Sequence, residues 1–217
     1  MIDQPYILLI MNCEKYNYKA IQQKQTWLKN LPSNIIYFHV IGSINFDFNF
    51  NFNFDFKQKI LYVNTEDDYI SLPKKVLAAY NAVNETFNYK YIFKTDDDQN
   101  LINMKFIESL MNVLDNKVPK IHYGGHIVDV VKPYLSQYYK IHAELPKDMI
   151  VQSTKYCSGR FYFLSNDAVF SLTNPKKKEL IEKEYLEDYA IGYHMSSFLK
   201  ENMLSLTTEK YFIDFNY

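Results

Sequence analysis

Three consecutive carboxylates, Asp96-Asp97-Asp98, follow the apolar run Tyr89–Lys94 (YKYIFK). Like charges in a row repel one another and cost free energy unless something neutralises them. Two acids spaced i, i+2 can point oxygens at one hard cation, Mg²⁺ or Mn²⁺. Such a cation would hold a diphosphate and offset charge on a phosphate leaving group. A solvated acidic turn is the commoner fate of a bare triplet. The strand in front of it tips the balance, because open α/β sheets bind ligands at the carboxyl ends of their strands.

A second acidic pair, Glu187-Asp188, opens the segment EDYAIGYHM. Taken alone it reads as two acids placed favourably at a helix start. Between the two acidic sites lies Tyr156-Cys157-Ser158-Gly159-Arg160. Gly159 at a strand start suggests close backbone approach, and Arg160, the single arginine, could fork onto a phosphate. A structural turn with a surface arginine explains the same residues. His39 falls in an apolar strand, His122 and His126 could face one cleft, and His142 has no evident place.

These residues need a scaffold, and the chain reads as alternating strands and helices. Tyr6–Met11 is a continuous apolar run, as in a strand buried on both faces. Residues 34–41 and 60–63 read as further strands, and 89–94 as the one that delivers the triplet. Residues 18–29, 71–87 and 106–114 read as helices, the second with Ser71 as N-cap and Pro73 in its first turn. Residues 120–131 and 157–164 are strand-like, and 167–172 and 187–200 helical. This rhythm implies an α/β fold with one Rossmann-like, mostly parallel sheet flanked by helices. The expectation is a single domain over 1–217, with a nucleotide-binding half (1–100) and an acceptor-binding half (101–217). Within it, 45–56 reads as a low-complexity insertion, since phenylalanine fills every even position from Phe46 to Phe56. A surface hairpin between core strands, dispensable for catalysis, is the expected form.

The 217 residues suit one domain with a full core. A composition 47% hydrophobic and 17% aromatic excludes disorder. Net charge is −1, from 24 basic and 25 acidic residues, which gives no reason to expect a nucleic-acid partner. No segment approaches the roughly 18 apolar residues of a membrane span. The N-terminus lacks the basic start and apolar core of a signal peptide. Two cysteines, Cys13 and Cys157, do not make a secreted disulfide scaffold. A cytoplasmic location is therefore expected, unless the chain is a domain of a larger protein.

The order and spacing of the pieces resemble the β-1,3-glycosyltransferases, glycosyltransferase family 31, with its galactosyl-, N-acetylglucosaminyl- and Fringe-type enzymes. Lys19, Lys24, Thr26 and Trp27 fit its basic residues before Thr-Trp. Asp67, Tyr69, Leu72 and Lys75 fit its Asp-x-Tyr-x-Asn-Leu-Thr-x-Lys segment, with Ser71 and Pro73 as departures. Lys94, Asp96, Asp97 and Asp98 fit Lys-x-Asp-Asp-Asp. Tyr156, Ser158, Gly159 and Tyr162 fit Tyr-x-Ser-Gly-x-Gly-Tyr, with Phe161 for the second glycine. Glu187, Asp188 and Gly192 fit Glu-Asp-x-x-x-Gly.

The resemblance implies a GT-A fold, a UDP-sugar donor, a Mn²⁺-type cofactor and inverting transfer to a glycan or glycoconjugate. It implies Asp188 as general base, with Glu187 next in line. It implies Asp96 and Asp98 on the metal, and Asp97 nearby or on the donor's ribose or sugar. Lys24, Asp67, Lys75 and Lys94 would line the nucleotide side, with Met11-Asn12 against the uracil. The family's C-terminal metal-binding His is missing; Asp214 stands where it might be expected, so the third ligand is Asp214 or water. The family's membrane anchor and stem are absent from the sequence. Two other readings compete. A sugar nucleotidyltransferase would want a Gly-rich loop near the N-terminus, but the first glycine is Gly42. A catalytically silent UDP-sugar-binding module would not be expected to keep Asp96, Asp98 and Asp188 intact.

Overall fold

The computed structural model describes residues 1–44 and 51–215. After a short strand β1 (Ile2–Asp3), the chain enters β2 (Tyr6–Met11), helix α1 (Asn17–Gln25) and β3 (Ile35–Gly42). Strands β4 (Phe52–Asp55) and β5 (Ile60–Val63) precede helix α2 (Leu72–Thr86). Then come β6 (Phe87–Asn88), β7 (Tyr91–Asp96), β8 (Gln99–Leu101) and α3 (Lys105–Asn116). The second half supplies β9 (Tyr123–Val130), β10 (Tyr134–Leu135), β11 (Ile150–Val151) and the long β12 (Thr154–Ser165). Helices α4 (Asn166–Leu172), α5 (Pro175–Ile181), α6 (Glu187–His194) and α7 (Ser197–Lys200) follow, then β13 (Leu204–Ser205) and β14 (Phe212–Asp214).

Eight strands form one sheet in the order β13-β9-β12-β7-β2-β3-β5-β4. The β7-β2-β3-β5 half is parallel, the arrangement expected when helices connect successive strands. β12 enters antiparallel between β7 and β9, so the sheet is mixed rather than parallel throughout. The second half of the chain thus completes the sheet begun by the first.

β2 lies between β7 and β3 and explains the layering. Its side chains alternate faces, as in any strand. Ile7, Leu9 and Met11 join a core with α2, whose Val76, Leu77, Tyr80 and Val83 are buried at helical spacing. Tyr6, Leu8 and Ile10 join the opposite core with Trp27 and the apolar face of α3. Pro73 sits in the first turn of α2, where a missing N–H costs nothing.

The phenylalanine repeat falls partly outside the described residues, which omit 45–50. The rest fits the hairpin expectation: residues 52–55 are β4, the edge strand antiparallel to the next strand, β5. Phe54 packs on Phe38 and Phe87, with ring centroids 4.8 and 5.3 Å apart. This part of the repeat also covers a core at the sheet edge. Among the described residues, no helix is long and apolar enough to cross a membrane.

Candidate functional site

The parallel register sets Met11 beside Asp96, so the carboxyl ends of β2 and β7 open together. Asn12, Asp96, Asp97 and Asp98 line one cavity of about 670 Å³ there, together with Asp67, Lys75, Lys94, Glu187 and Asp188. The turn between β7 and β8 is held from behind. Gln23 Nε2 donates to the carbonyls of Asp96 (3.2 Å) and Gln99 (2.9 Å). Trp27 Nε1 donates to the same Gln99 carbonyl at 3.2 Å. Burial pushes the His39 imidazole down to about 3, so it stays neutral. Its Nε2 lies 2.9 Å from Gln23 Oε1, which can only accept, and so carries the proton.

Lys94 is the buried centre of the site. Its Nζ meets Asp96 Oδ1 and Glu187 Oε2, each at 2.8 Å, and the Gly159 carbonyl at 3.2 Å. Burial alone would lower the ammonium's pKa; the two carboxylates outweigh it and raise it. Lys94 therefore stays charged as a fixed counter-ion to both acids. Glu187 also accepts from the Tyr162 hydroxyl, which pairs with Tyr80 at 2.8 Å.

Gly159 explains how two acids distant in sequence share one cavity. The pairing of β12 with β9 shifts register between Cys157 and Tyr162. Such irregularities bend a strand and re-aim its groups. A β-carbon on Gly159 would stand 3.2 Å from Lys94 Nζ, 3.3 Å from Asp96 Oδ2 and 3.7 Å from Asp188 Oδ2. Both carboxylates thus approach the same backbone point, and only glycine leaves it open. The Gly159 N–H donates to Asp188 Oδ2 at 3.0 Å, and the Tyr189 N–H donates to Oδ1 at 2.7 Å. Burial raises the Asp188 carboxyl above its ordinary range; Lys94 and the two N–H donors hold it back. Gly192 lets α6 lie against β12, since a β-carbon there would collide with Tyr156.

At the end of β2, Lys75 is buried and donates to the Asn12 carbonyl and to Asp67 Oδ1, both at 2.8 Å. Asp67 also accepts from the backbone N–H of Gly42 and of Glu14. This clamp ties the end of β2 to the start of α2. Lys19 pairs with Asp97 at 3.0 Å and lies over the Tyr16 ring. Burial raises the Asp97 carboxyl to about 6 despite that partner.

Several expected residues are placed elsewhere. Lys24 lies outside the cavity and donates to the Gln58 carbonyl at 2.7 Å. Arg160 does not line the cavity and bonds the Phe212 carbonyl and Asp214. Asp214 also lies outside the cavity. Its carboxylate receives Arg160 at 3.2 Å and Gln99 Nε2 at 2.8 Å, and the same Gln99 nitrogen reaches Asp98 Oδ1 at 2.8 Å. Asp214 thus steadies Asp98 through Gln99 rather than converging on it. His122 and His126 do not line the cavity and pair with Asp167 and Glu209. The two cysteines are free.

His142 and Glu144, which sequence reasoning did not assign, do line the cavity. His142 stacks on Tyr69, with centroids 3.8 Å apart and planes 8° from parallel. They sit in a largely irregular stretch that gave no periodic signal.

The cavity carries eight carboxylates against four lysines. Three of those lysines are already committed to Asp67, Asp96, Asp97 and Glu187. A diphosphate would add further negative charge, so the donor set suits a divalent cation at Asp96 and Asp98. Among the described residues, no three metal-ligating side chains converge. A two-carboxylate site completed by phosphate and water oxygens is the usual form for such cations.

The galactosyltransferase family profile matches residues 21–199. No curated protein sequence matches the chain significantly. Among solved structures, the chain is similar to the 2-C-methyl-D-erythritol 4-phosphate cytidylyltransferase of Francisella tularensis. The identity is 14% and the TM-score 0.50, over 99% of this chain and 95% of that one. A second likeness is to mouse xyloside xylosyltransferase 1 in its apo form. There the identity is 11% and the TM-score 0.44, over 94% and 85% of the two chains. The first supports a GT-A-like α/β fold.

Proposed function

Because the chain belongs to the galactosyltransferase family, and is thus a glycosyltransferase, we propose that it is an inverting, metal-dependent enzyme. It moves a hexose or N-acetylhexosamine from a UDP-sugar to a hydroxyl of a glycan or glycoconjugate. One observation carries this reading. Asp96 and Asp98 on one side and Asp188 on the other line a single cavity, with Gly159 between them.

The acceptor hydroxyl is a poor nucleophile and must lose its proton as it attacks the anomeric carbon. Asp188 is fixed by two backbone N–H groups, and each oxygen keeps a lone pair for that proton. Its raised pKa brings it nearer to operating pH, which suits a general base. As the oxygen–carbon bond forms, the bond from carbon to phosphate oxygen breaks, and its electron pair leaves with UDP. Attack opposite the leaving group inverts the anomeric centre. A cation bound at Asp96 and Asp98 would supply positive charge to the departing diphosphate. Glu187 is unsuited to the base role, being buried and engaged by Lys94 and Tyr162. Lys75 and Asp67 brace the nucleotide side, with Met11-Asn12 against the base.

A panel of nucleotide-sugars with and without Mn²⁺, read for UDP release and thermal stabilisation together, tests the proposal. Release of UDP that requires the cation is expected. Equal turnover after rigorous chelation would remove the metal from the reading, and absence of any nucleotide-sugar binding would overturn it.

A further inference from the structure

The cavity also has a wall of different chemistry. Tyr69 and His142 stack face to face there, and Glu144 and Asp68 also line the cavity. The wall is fixed relative to Asp188 by a separate small core. Val130, Leu145 and Val151 pack with Leu186 and Tyr189, which flank Glu187-Asp188, and Tyr69 packs against the same cluster. Tyr69 and Tyr156 each feel the Asp188 carboxylate, which, after burial, raises their phenols.

We propose that this end is an acceptor subsite for the terminal ring of an uncharged saccharide, with the Tyr69–His142 pair as its flat wall. The inference rests on the glycosyltransfer reading and adds the acceptor's chemical class. A pyranose presents a face of C–H groups and an edge of hydroxyls. The face matches an aromatic surface, which combines large apolar area with a polar rim. The edge matches carboxylates such as Glu144 that can accept from hydroxyls. Charge sets the class. Asp68, Glu144 and Asp188 are acidic, while Lys19, Lys75 and Lys94 are held by Asp97, Asp67, Asp96 and Glu187. Lys15 and Lys19 both lean on Tyr16. A uronate or phosphorylated ring at this wall would meet like charge, the kind of repulsion by which sites reject wrong partners.

The experiment uses the full chain with its active nucleotide-sugar, first without acceptor to record hydrolysis of the donor by water. Neutral mono- and disaccharides and their uronate counterparts are then added. We expect neutral saccharides to accelerate UDP release and uronates to fail. Tyr69→Ala should raise the acceptor KM roughly 3- to 10-fold, the range of one aromatic stacking contact, and far more than it moves the donor KM. His142→Phe, which keeps a ring in the stack, should recover most of the loss seen in His142→Ala. Glu144→Gln should narrow the gap between neutral and uronate acceptors. Donor hydrolysis that no neutral saccharide accelerates overturns the subsite and leaves the transferase reading standing. Equal use of uronates, or an acceptor KM unmoved in Tyr69→Ala, overturns it as well. No UDP release from any nucleotide-sugar, with or without a saccharide, would instead sink the transferase reading beneath it.

Discussion

Asp188 and Gly159 carry the sharpest expectations for single residues. Asp188→Asn keeps size and one of the two backbone N–H contacts, since its amide nitrogen cannot accept the other, and it removes the proposed base. Transfer should fall about 10²- to 10⁴-fold, while UDP binding by calorimetry stays near wild type. Near-wild-type transfer would place the base elsewhere. The pH dependence follows from the raised Asp188 pKa. The working form is the carboxylate, so kcat/KM should fall as pH drops through a value above the ordinary aspartate pKa of about 3.9, and level off at higher pH. In Asp188→Asn this limb should disappear. Gly159→Ala would place a methyl against Lys94 and Asp96 at 3.2–3.3 Å. Overpacking of this kind costs roughly 1–3 kcal/mol. Thermal denaturation should show the loss, with UDP affinity reduced because Asp96 must shift. Unchanged stability and affinity would mean that the junction yields freely.

Among the elements, β4 makes the clearest test, because a low-complexity repeat there packs on a core. Phe54 packs on Phe38 and Phe87 at the sheet edge. A fully buried Phe→Ala change costs about 3–5 kcal/mol, and Phe54 is only half-buried. Phe54→Ala should thus cost roughly 1–3 kcal/mol in chemical denaturation, with activity per folded molecule kept. A cost near zero would mean that Phe54 adds little to the core, and a loss of activity without unfolding would overturn the expectation that the repeat is dispensable for catalysis. The repeat's regular alternation looked like drift, yet alternation is also what an edge strand with one covered face requires. The apolar runs gave β2 and β5 correctly, and the periodicity of 71–87 gave α2 within a residue at each end. β8 and β14 were illegible, because a three-residue strand has no period to read. The Asp96–Asp98 centre was legible because like charges cluster only at a cost, whereas Glu187-Asp188 stood out only through the family resemblance. The partners of Lys94, Arg160 and Asp214 were not, since pairing across 52 to 93 residues leaves no local trace. Asp214 was offered, beside water, as a third ligand because it stands near the position of the family's histidine, and the tail's hydrogen bonds to β8 give it another task.

At the scale of the whole molecule, the fold and the cation are separable. The acids that a cation would bind already have partners within the protein: Lys94 for Asp96, and Gln99 for Asp98. The two main cores are apolar layers on either face of one sheet, and among their described buried members Met11 alone also lines the cavity. Chelation should therefore leave the melting temperature of the free protein nearly unchanged, unlike a domain whose metal supplies its folding energy. The proposed nucleotide would differ, because its binding would add two phosphates to a cavity with surplus negative charge. A ligand at a hundredfold excess over its Kd stabilises by about 2.7 kcal/mol. For a chain of this size, that amounts to roughly 5–10 °C. UDP with Mn²⁺ should raise the melting temperature by about this much at such an excess. UDP with chelator should raise it far less, and Asp98→Asn should behave as the chelated wild type does. A full UDP shift in chelator would mean that lysines alone carry the diphosphate. Lys19 and Lys75 would then have to leave Asp97 and Asp67 on binding, and Lys75→Met, rather than Asp98→Asn, would abolish the shift.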